Sequence, residues 1–478
     1  MSVREIFPSH ELYHSTNIMS SYCNYDTKVV QLFLILFKGE IRMNVGFVSL
    51  GCSKNLVDTE MLIGMFKNNK YKIVNNPQEA DVIVINTCGF IESAKEEAIN
   101  TILEMAEYKK SRCKYLIVMG CLVQRYKEDL QKSIPEVDLF IKYSEYETIW
   151  EQIDNVIGNG VKQLENRNNL DFMDRVITTG NNFAYLRIAE GCSNRCTYCA
   201  IPYIRGGFES RKIEDVLEEA EKLAKSGIKE LIVIAQDTTK YGIDIYGEPK
   251  LAELLQKLCK IEGIQWIRFL YAYPETITDE LIKVVKENDK ICKYFDIPIQ
   301  HISDKVLKRM NRKSDGKSIK EVVNRIRNEI PNVILRTTVI VGFPGETQED
   351  FNQLYEFVKQ AKFDRLGAFT YSKEEGTPAA RLPEQIHPMT KKSRYNKIMK
   401  EQQEISNIQL KSCIGKEYKV LIESKSFDSK WYIGRSYMDV PDIDGVIYVR
   451  KEKEGLEGNF ANVKITEVKD YDLIGKID

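Results

Sequence analysis

From residue 44 onward the chain alternates short apolar runs with longer stretches of helical period, and this alternation limits its possible folds more than any other feature. Residues 45–50, 81–86 and 114–119 are strand-like, and residues 56–68 and 92–108 between them carry helical spacing. Parallel strands joined through helices cross over right-handedly, so residues 43–160 are expected to form an α/β domain with a doubly wound parallel sheet. The alternation resumes over 184–375, with strands at 184–189, 230–235, 265–271, 294–299, 334–341 and 365–371 and helices such as 213–226 and 350–361. Six such units in one span predict a partial (β/α)6 barrel, a fold whose chemistry sits at the C-terminal ends of the strands. The charged helical pattern at 391–411 would close it. From 413 the pattern changes to short β runs at 417–423, 431–435, 446–450 and 460–468, which predict a small all-β barrel.

A length of 478 residues fits about three domains at ~150 residues each. The expected division is 43–160, a polar Asn- and Gly-rich linker at 161–180, a core at 181–412 and a tail at 413–478. Residues 1–42 have no clear period and are expected to lie outside the fold, as an extension from a start codon upstream of the true one; the alternative is a helix docked on the body. With 69 Lys+Arg against 70 Asp+Glu, the net charge of −1 excludes a strongly basic chain that coats nucleic acid. The apolar run at 29–37 ends at Lys38, too short to cross a bilayer, and no small-residue cleavage site follows it. A cytoplasmic monomer with no membrane contact is expected. The 11 Cys are odd in number, which points to a reducing compartment, where clustered cysteines bind metal or do redox chemistry more often than they pair. With only 4 His, two of them (His10 and His14) before residue 43, a His-rich metal site is not expected.

Two sets of cysteines carry the chemistry. Cys192, Cys196 and Cys199 lie in one short loop just after the first strand of the second series. Three thiolates on such a loop can hold three irons of a [4Fe–4S] cube and leave the fourth open to a chelating substrate. A closed zinc site would need a fourth ligand that the loop lacks; buried free thiols are the other alternative. Cys52, Cys88 and Cys121 each follow an apolar strand of the first series. If those strands are parallel, all three thiols reach one edge of the sheet, where ligands bind in doubly wound folds. A second three-cysteine iron–sulfur site fits this placement; small apolar residues at buried strand ends are the plainer reading. Cys23, Cys113, Cys259, Cys292 and Cys413 have no such placement.

The Cys192-Ser193-Asn194-Arg195-Cys196-Thr197-Tyr198-Cys199 loop on this fold resembles the radical S-adenosylmethionine enzymes. The resemblance implies that Cys192, Cys196 and Cys199 ligate a cluster whose open iron binds S-adenosylmethionine, and that Tyr198 lies near the adenine. The segment from Thr338 to Glu346 is similar to that family's adenine-contacting strand, which places Gly342 and Pro344 near the cofactor. It departs from the usual form at Thr338, which replaces a Gly, and its acid, Glu346, comes one position late. The whole chain from Met43 to Asp478 resembles the methylthiotransferases, through Val48-Ser49-Leu50-Gly51-Cys52-Ser53-Lys54-Asn55, Asn86-Thr87-Cys88-Gly89-Phe90-Ile91, Ala235-Gln236-Asp237-Thr238-Thr239 and Asp296-Ile297-Pro298-Ile299-Gln300-His301. Within them it is most similar to the branch that modifies an aspartate of ribosomal protein S-twelve. That implies two [4Fe–4S] clusters, S-adenosylmethionine, a ribosomal partner, a flavodoxin- or ferredoxin-type electron donor and a C-terminal barrel of the TRAM type.

Two other functions compete with this one. The first is a transfer-RNA methylthiotransferase, whose relatives tend to show Gln-Met-Asn after the first cysteine and Asn-Val-Asn where this chain has Asp237-Thr238-Thr239. The second is a non-catalytic metal-binding RNA module. Residues 413–478 hold 11 Lys+Arg and 13 Asp+Glu, an acidic balance that suits a basic protein partner better than RNA, whose phosphates call for cations. Asp439, Asp442 and Asp444 are expected to be steering groups on the rim of that barrel.

Overall fold

The computed structural model describes residues 43–158, 172–180, 182–427, 430–451 and 454–477. The expectations for 1–42, and for 159–171 of the polar stretch, lie outside these residues.

The first unit is a five-stranded, fully parallel sheet in the order β2-β1-β3-β4-β5. Its strands are β1 (Asn44–Ser49), β2 (Lys72–Val74), β3 (Val82–Thr87), β4 (Tyr115–Gly120) and β5 (Leu139–Lys142). The helices α1 (Ser53–Asn68), α2 (Glu92–Ala106), α3 (Cys121–Ser133) and α4 (Ile149–Ile157) connect and follow them. β3 is buried along its whole length, as a central strand covered on both faces must be. Alternate residues therefore feed two cores. Ile83 and Ile85 pack with Ala98 and Ile102 of α2, while Val82 and Val84 pack with Leu62 and Phe66 of α1 and with Trp150 and Ile153 of α4.

The second unit is a six-stranded curved parallel wall. One sheet holds β6 (Phe183–Arg187), β9 (Glu230–Ile234) and β10 (Trp266–Phe269), and the other holds β11 (Tyr294–Asp296), β12 (Ile334–Val341) and β13 (Arg365–Thr370). A parallel bridge between Ile267 and Ile291 joins them. No pairing links β6 to β13 among the described residues, so the (β/α)6 barrel is partial. A two-stranded ribbon of β7 (Ala189–Glu190) and β8 (Glu209–Ser210) caps the first strand, and the short helix α5 (Ile201–Arg205) lies inside that excursion. The long helix Pro388–Lys411 packs on the last strands.

The third unit is a closed five-stranded barrel, ordered β14 (Glu417–Lys425), β15 (Trp431–Arg435), β16 (Ile447–Arg450), β18 (Asp472–Lys476) and β17 (Phe460–Lys469). Sequence pattern supplies four of these strands; β18 is short and was not separated from the chain end.

One apolar core joins the three units. Val57 and Met61 of α1 pack with Phe183, Tyr185, Ile232 and Ile234 of the wall and with Met438 and Val440 of the C-terminal unit. A buried ion network reinforces it: Glu230 accepts from Arg268 Nε and from Arg435 Nη2, both at 2.8 Å, and Arg435 also reaches Glu423 at 2.6 Å. Such groups can be buried only because every charge faces an opposite one.

The loop between β15 and β16 contradicts the expectation for its acids. Asp439 ion-pairs with Arg365 of β13 at 2.7 Å and is only 3% exposed. Asp444 accepts from Tyr294 Oη at 2.7 Å and lies 3.9 Å from both Arg336 and Arg365. Only Asp442 is exposed. Two of the three acids therefore join the barrel to the core wall, because buried arginines there require counter-charges. The net charge of the tail does not describe a docking surface.

Candidate functional site

The ends of β1, β3 and β4 bring the first thiol triad together. These strands are neighbours in register, with Ser49 beside Asn86 and Thr87 beside Gly120, so their C-terminal ends lie side by side. Cys52 is the N-cap of α1, Cys88 directly follows β3, and Cys121 is the first residue of α3. Gly51 has φ +89°, and a Cβ there would lie 2.6 Å from Cys88 Cβ, so the turn before Cys52 demands glycine. Cys52 is exposed, Cys88 half-buried and Cys121 buried. Burial pushes the Cys121 thiol up to about 12; Cys52 and Cys88 act in the same direction and Arg205 against it.

The second triad lies in the loop after the β7 strand. Its backbone is fixed on both sides. Cys192 N–H donates to Gly206 O, Thr197 N–H to Met310 O, Thr197 Oγ1 to Arg309 O, and Ala379 N–H to Thr197 O, all within 2.8–3.1 Å. Gly191, at φ +66°, opens the loop where a Cβ would meet Gly207 O at 1.9 Å. Cys192 and Cys196 are buried and Cys199 is half-buried. Burial raises the Cys192 thiol and pushes Cys199 up to about 12, with the neighbouring thiols acting in the same direction.

The two triads adjoin each other. Cys121 packs in one cluster with Ala200, the residue after Cys199, and with Ile204 of α5. Beside that contact is a buried polar network. Arg205 bonds Asn55 Oδ1 at 2.5 Å, Asp58 at 2.8 Å and Glu190 at 3.1 Å, and its Nη2 lies 3.9 Å from Cys121 Sγ. Arg187 pairs with the same Asp58 and Glu190. The donor sets suit iron–sulfur clusters. Each triad offers three soft sulfur ligands, one fewer than the four of a closed structural zinc site and the number that leaves one iron of a cube open.

The strand ends around the second triad are polar. Asp237, after β9, is fully buried and accepts from Asn194 Nδ2 and Thr239 Oγ1, both at 2.8 Å; burial raises its carboxyl. Arg312 lies 4.0 Å from Cys196 Sγ and stacks 4.3 Å from the Tyr273 ring centroid. Gln236 Oε1, Gln300 Oε1 and Arg312 Nε are buried without a hydrogen-bond partner among the described residues. Unsatisfied polar atoms at the barrel mouth fit a polar ligand such as S-adenosylmethionine.

Tyr198 and the turn after β12 meet through Phe343. The Tyr198 and Phe343 rings pack edge-to-face at 6.5 Å, and Phe343 packs the same way on Tyr371 at 5.2 Å. Gly342, at φ +73°, donates its N–H to Glu346, which also pairs with Arg394 at 2.9 Å. Lys391 lies so close over Gly342 that a Cβ would strike its Cγ. Pro344 is buried in the same turn. Glu346, one position late in sequence, thus serves the turn itself as its internal acceptor.

The sequence singles out the cysteines as candidate ligands but gives no role to Asn55, Asp58, Arg205 or Arg312. Asn55 and Asp58 fall three and six residues after Cys52 on α1, a spacing that puts them near its first turn and was a usable signal. Nothing in the sequence marks Arg205 or Arg312, whose partners lie in distant segments. Cys113, Cys259, Cys292 and Cys413 belong to neither triad.

A model of the Radical SAM superfamily matches residues 186–358, one of the uncharacterized protein family UPF0004 matches 44–142, and one of the TRAM domain matches 414–477. The ribosomal protein uS12 methylthiotransferase RimO of Alkaliphilus oremlandii is 65% identical over 436 residues, covering 91% of this chain and 99% of its own length. The protein of the same name from Acetivibrio thermocellus is 50% identical over 451 residues, with the same coverage. Among solved structures, the radical S-adenosylmethionine methyltransferase TsrM from Kitasatospora setae superposes with a TM-score of 0.55 at 12% identity over 71% of this chain and 77% of its own, a likeness of fold.

Proposed function

Because this chain belongs to the RimO family of ribosomal protein uS12 methylthiotransferases, radical S-adenosylmethionine transferases, we propose that it attaches a methylthio group to the β-carbon of an aspartate in ribosomal protein uS12. That carbon–hydrogen bond is unactivated, so a positioned general base cannot readily break it, whereas a carbon radical can.

In this reading Cys192, Cys196 and Cys199 hold one [4Fe–4S] cluster and Cys52, Cys88 and Cys121 a second. When bound, the first would pass one electron to an S-adenosylmethionine and so cleave it to a primary carbon radical, and the second would hold the sulfur to be attached, whose methyl group would come from another S-adenosylmethionine. The protein's own work is positional. Hydrogen bonds from Cys192 and Thr197 hold the thiol loop in place, and the Tyr198–Phe343–Tyr371 stack packs beside it. Asp237, Gln236, Gln300 and Arg312 offer polar contacts to the cofactor. Buried thiols must release protons to become ligands, so loading is coupled to proton loss. A flavodoxin- or ferredoxin-type protein would supply the electron, and the enzyme would act as a cytoplasmic monomer. No helix among the described residues is long and apolar enough to cross a membrane.

The observation that carries this reading is the contact of Cys121 with Ala200 and Ile204, which sets the two thiol triads side by side. Sulfur delivery and radical formation need that closeness, whereas a binding module would not. Two variants test it. Cys199→Ala should abolish 5′-deoxyadenosine production. Cys88→Ala should still form 5′-deoxyadenosine yet give no methylthiolated uS12 by mass spectrometry. Normal product from Cys88→Ala would show that its thiol is only a core residue.

A further inference from the structure

One fully buried side chain touches all three strand ends of the first triad. The Asn55 carboxamide donates from Nδ2 to Leu50 O at 3.0 Å, just before Gly51 and Cys52, and to Thr87 O at 3.1 Å, just before Cys88. Its Oδ1 accepts from the Cys121 thiol at 3.5 Å and from Arg205 Nη2 at 2.5 Å. Its own backbone carbonyl accepts from Asn86 Nδ2 at 2.8 Å, and Asn86 Nδ2 also reaches Thr59 Oγ1 at 3.1 Å. No other residue type provides a planar pair of donors on one side and an acceptor on the other at this length, except the longer Gln.

We propose that Asn55 is a positioning residue that sets Cys52, Cys88 and Cys121 in register and, through Arg205, fixes that register against the radical loop. The proposal rests on the reading of those cysteines as a cluster site. The carboxamide ties two strand-end carbonyls, those of Leu50 and Thr87, to one rigid plane. The Arg205 guanidinium flanks the contact of Asn55 with Cys121, with Nη2 2.5 Å from the Asn55 oxygen and 3.9 Å from the Cys121 sulfur. Its positive charge lets a carbonyl oxygen and a metal-bound thiolate sit side by side. Because Arg205 belongs to α5, six residues after Cys199, the same side chain sets the distance between the two sites.

Three variants of the full-length protein, reconstituted anaerobically with iron and sulfide, test this. Asn55→Asp keeps an oxygen toward Arg205 but replaces the donor with an acceptor facing two carbonyls. Asn55→Ala removes the donors without adding charge and serves if the first variant folds poorly. Cys88→Ala is the reference for a lost ligand. The wild type should hold about eight irons per chain and Cys88→Ala about four. The Asn55 variants should fall to about four, or retain eight with an altered electron paramagnetic resonance signal confined to one of two clusters. In the apoprotein, alkylation of Cys121 should accelerate several-fold. Wild-type iron content and spectrum in both Asn55 variants, with Cys88→Ala at about four, would overturn the proposal alone. Eight irons in Cys88→Ala would instead overturn the cluster reading beneath it.

Discussion

His301 is an isolated example of what burial does to one side chain. It is fully buried, its Nδ1 accepts the Ser303 N–H at 3.0 Å, and its Nε2 has no partner among the described residues. Burial pushes its pKa down to about 3, with Arg394 acting in the same direction and Asp350 against it. The ring is therefore neutral in the folded protein, while the unfolded chain takes up a proton near pH 6.5. Its contribution is fully present above that pH and is lost as pH falls from 6.5 toward 3, at roughly 1.4 kcal/mol per pH unit. His301→Asn keeps an acceptor for Ser303 but cannot titrate. Urea unfolding should show the wild type losing about 2 kcal/mol more than the variant between pH 7 and pH 5; parallel losses would refute the assignment. At this scale the sequence is selectively legible. Cys192, Cys196 and Cys199 stand out because they fall together in one short loop. Arg205 and Arg312 do not, because their environments are assembled from segments far apart in the chain.

Among the elements, the loop between β15 and β16 can be tested most directly. Asp439 and Arg365 form a pair that is nearly excluded from water. Removing one partner leaves the other charge buried, at a cost of about 3–5 kcal/mol. Asp439→Ala should thus lower the thermal midpoint by several degrees, while Asp442→Asn, three residues away, exposed and compatible with the left-handed backbone there (φ +63°), should stay within about 0.5 kcal/mol of wild type. Equal effects of the two would mean that the loop does not bind the core. Sequence pattern found the long elements, since β3, β4 and β9 carry four or more consecutive apolar positions and α1 and α2 several turns. It missed β2, β5 and β18, whose short apolar runs, at most three residues, do not distinguish strand from helix or loop. It misread the loop's acids because charge counts carry no information on which groups face a partner.

Considered whole, the molecule has a core made from three parts of the chain. Trp266, Tyr294 and Ile334 of the wall share one apolar cluster with Met438 and Val440, and Glu230 depends on Arg435 as well as Arg268. Deleting residues 414–477 would expose that cluster and unbalance a buried ion network. The truncated chain should be prone to aggregation and cleaved rapidly in limited proteolysis; a soluble fragment with the full-length thermal midpoint would show that the core stands alone. The shared floor also has a consequence for synthesis. About 240 residues separate the Cys199 loop from Val440, which at 5–20 residues per second is roughly 10–50 s of translation. For that time the newly made thiols sit on a wall whose floor has not yet emerged, so the nascent chain depends on its surroundings to keep them reduced until the last barrel closes beneath them.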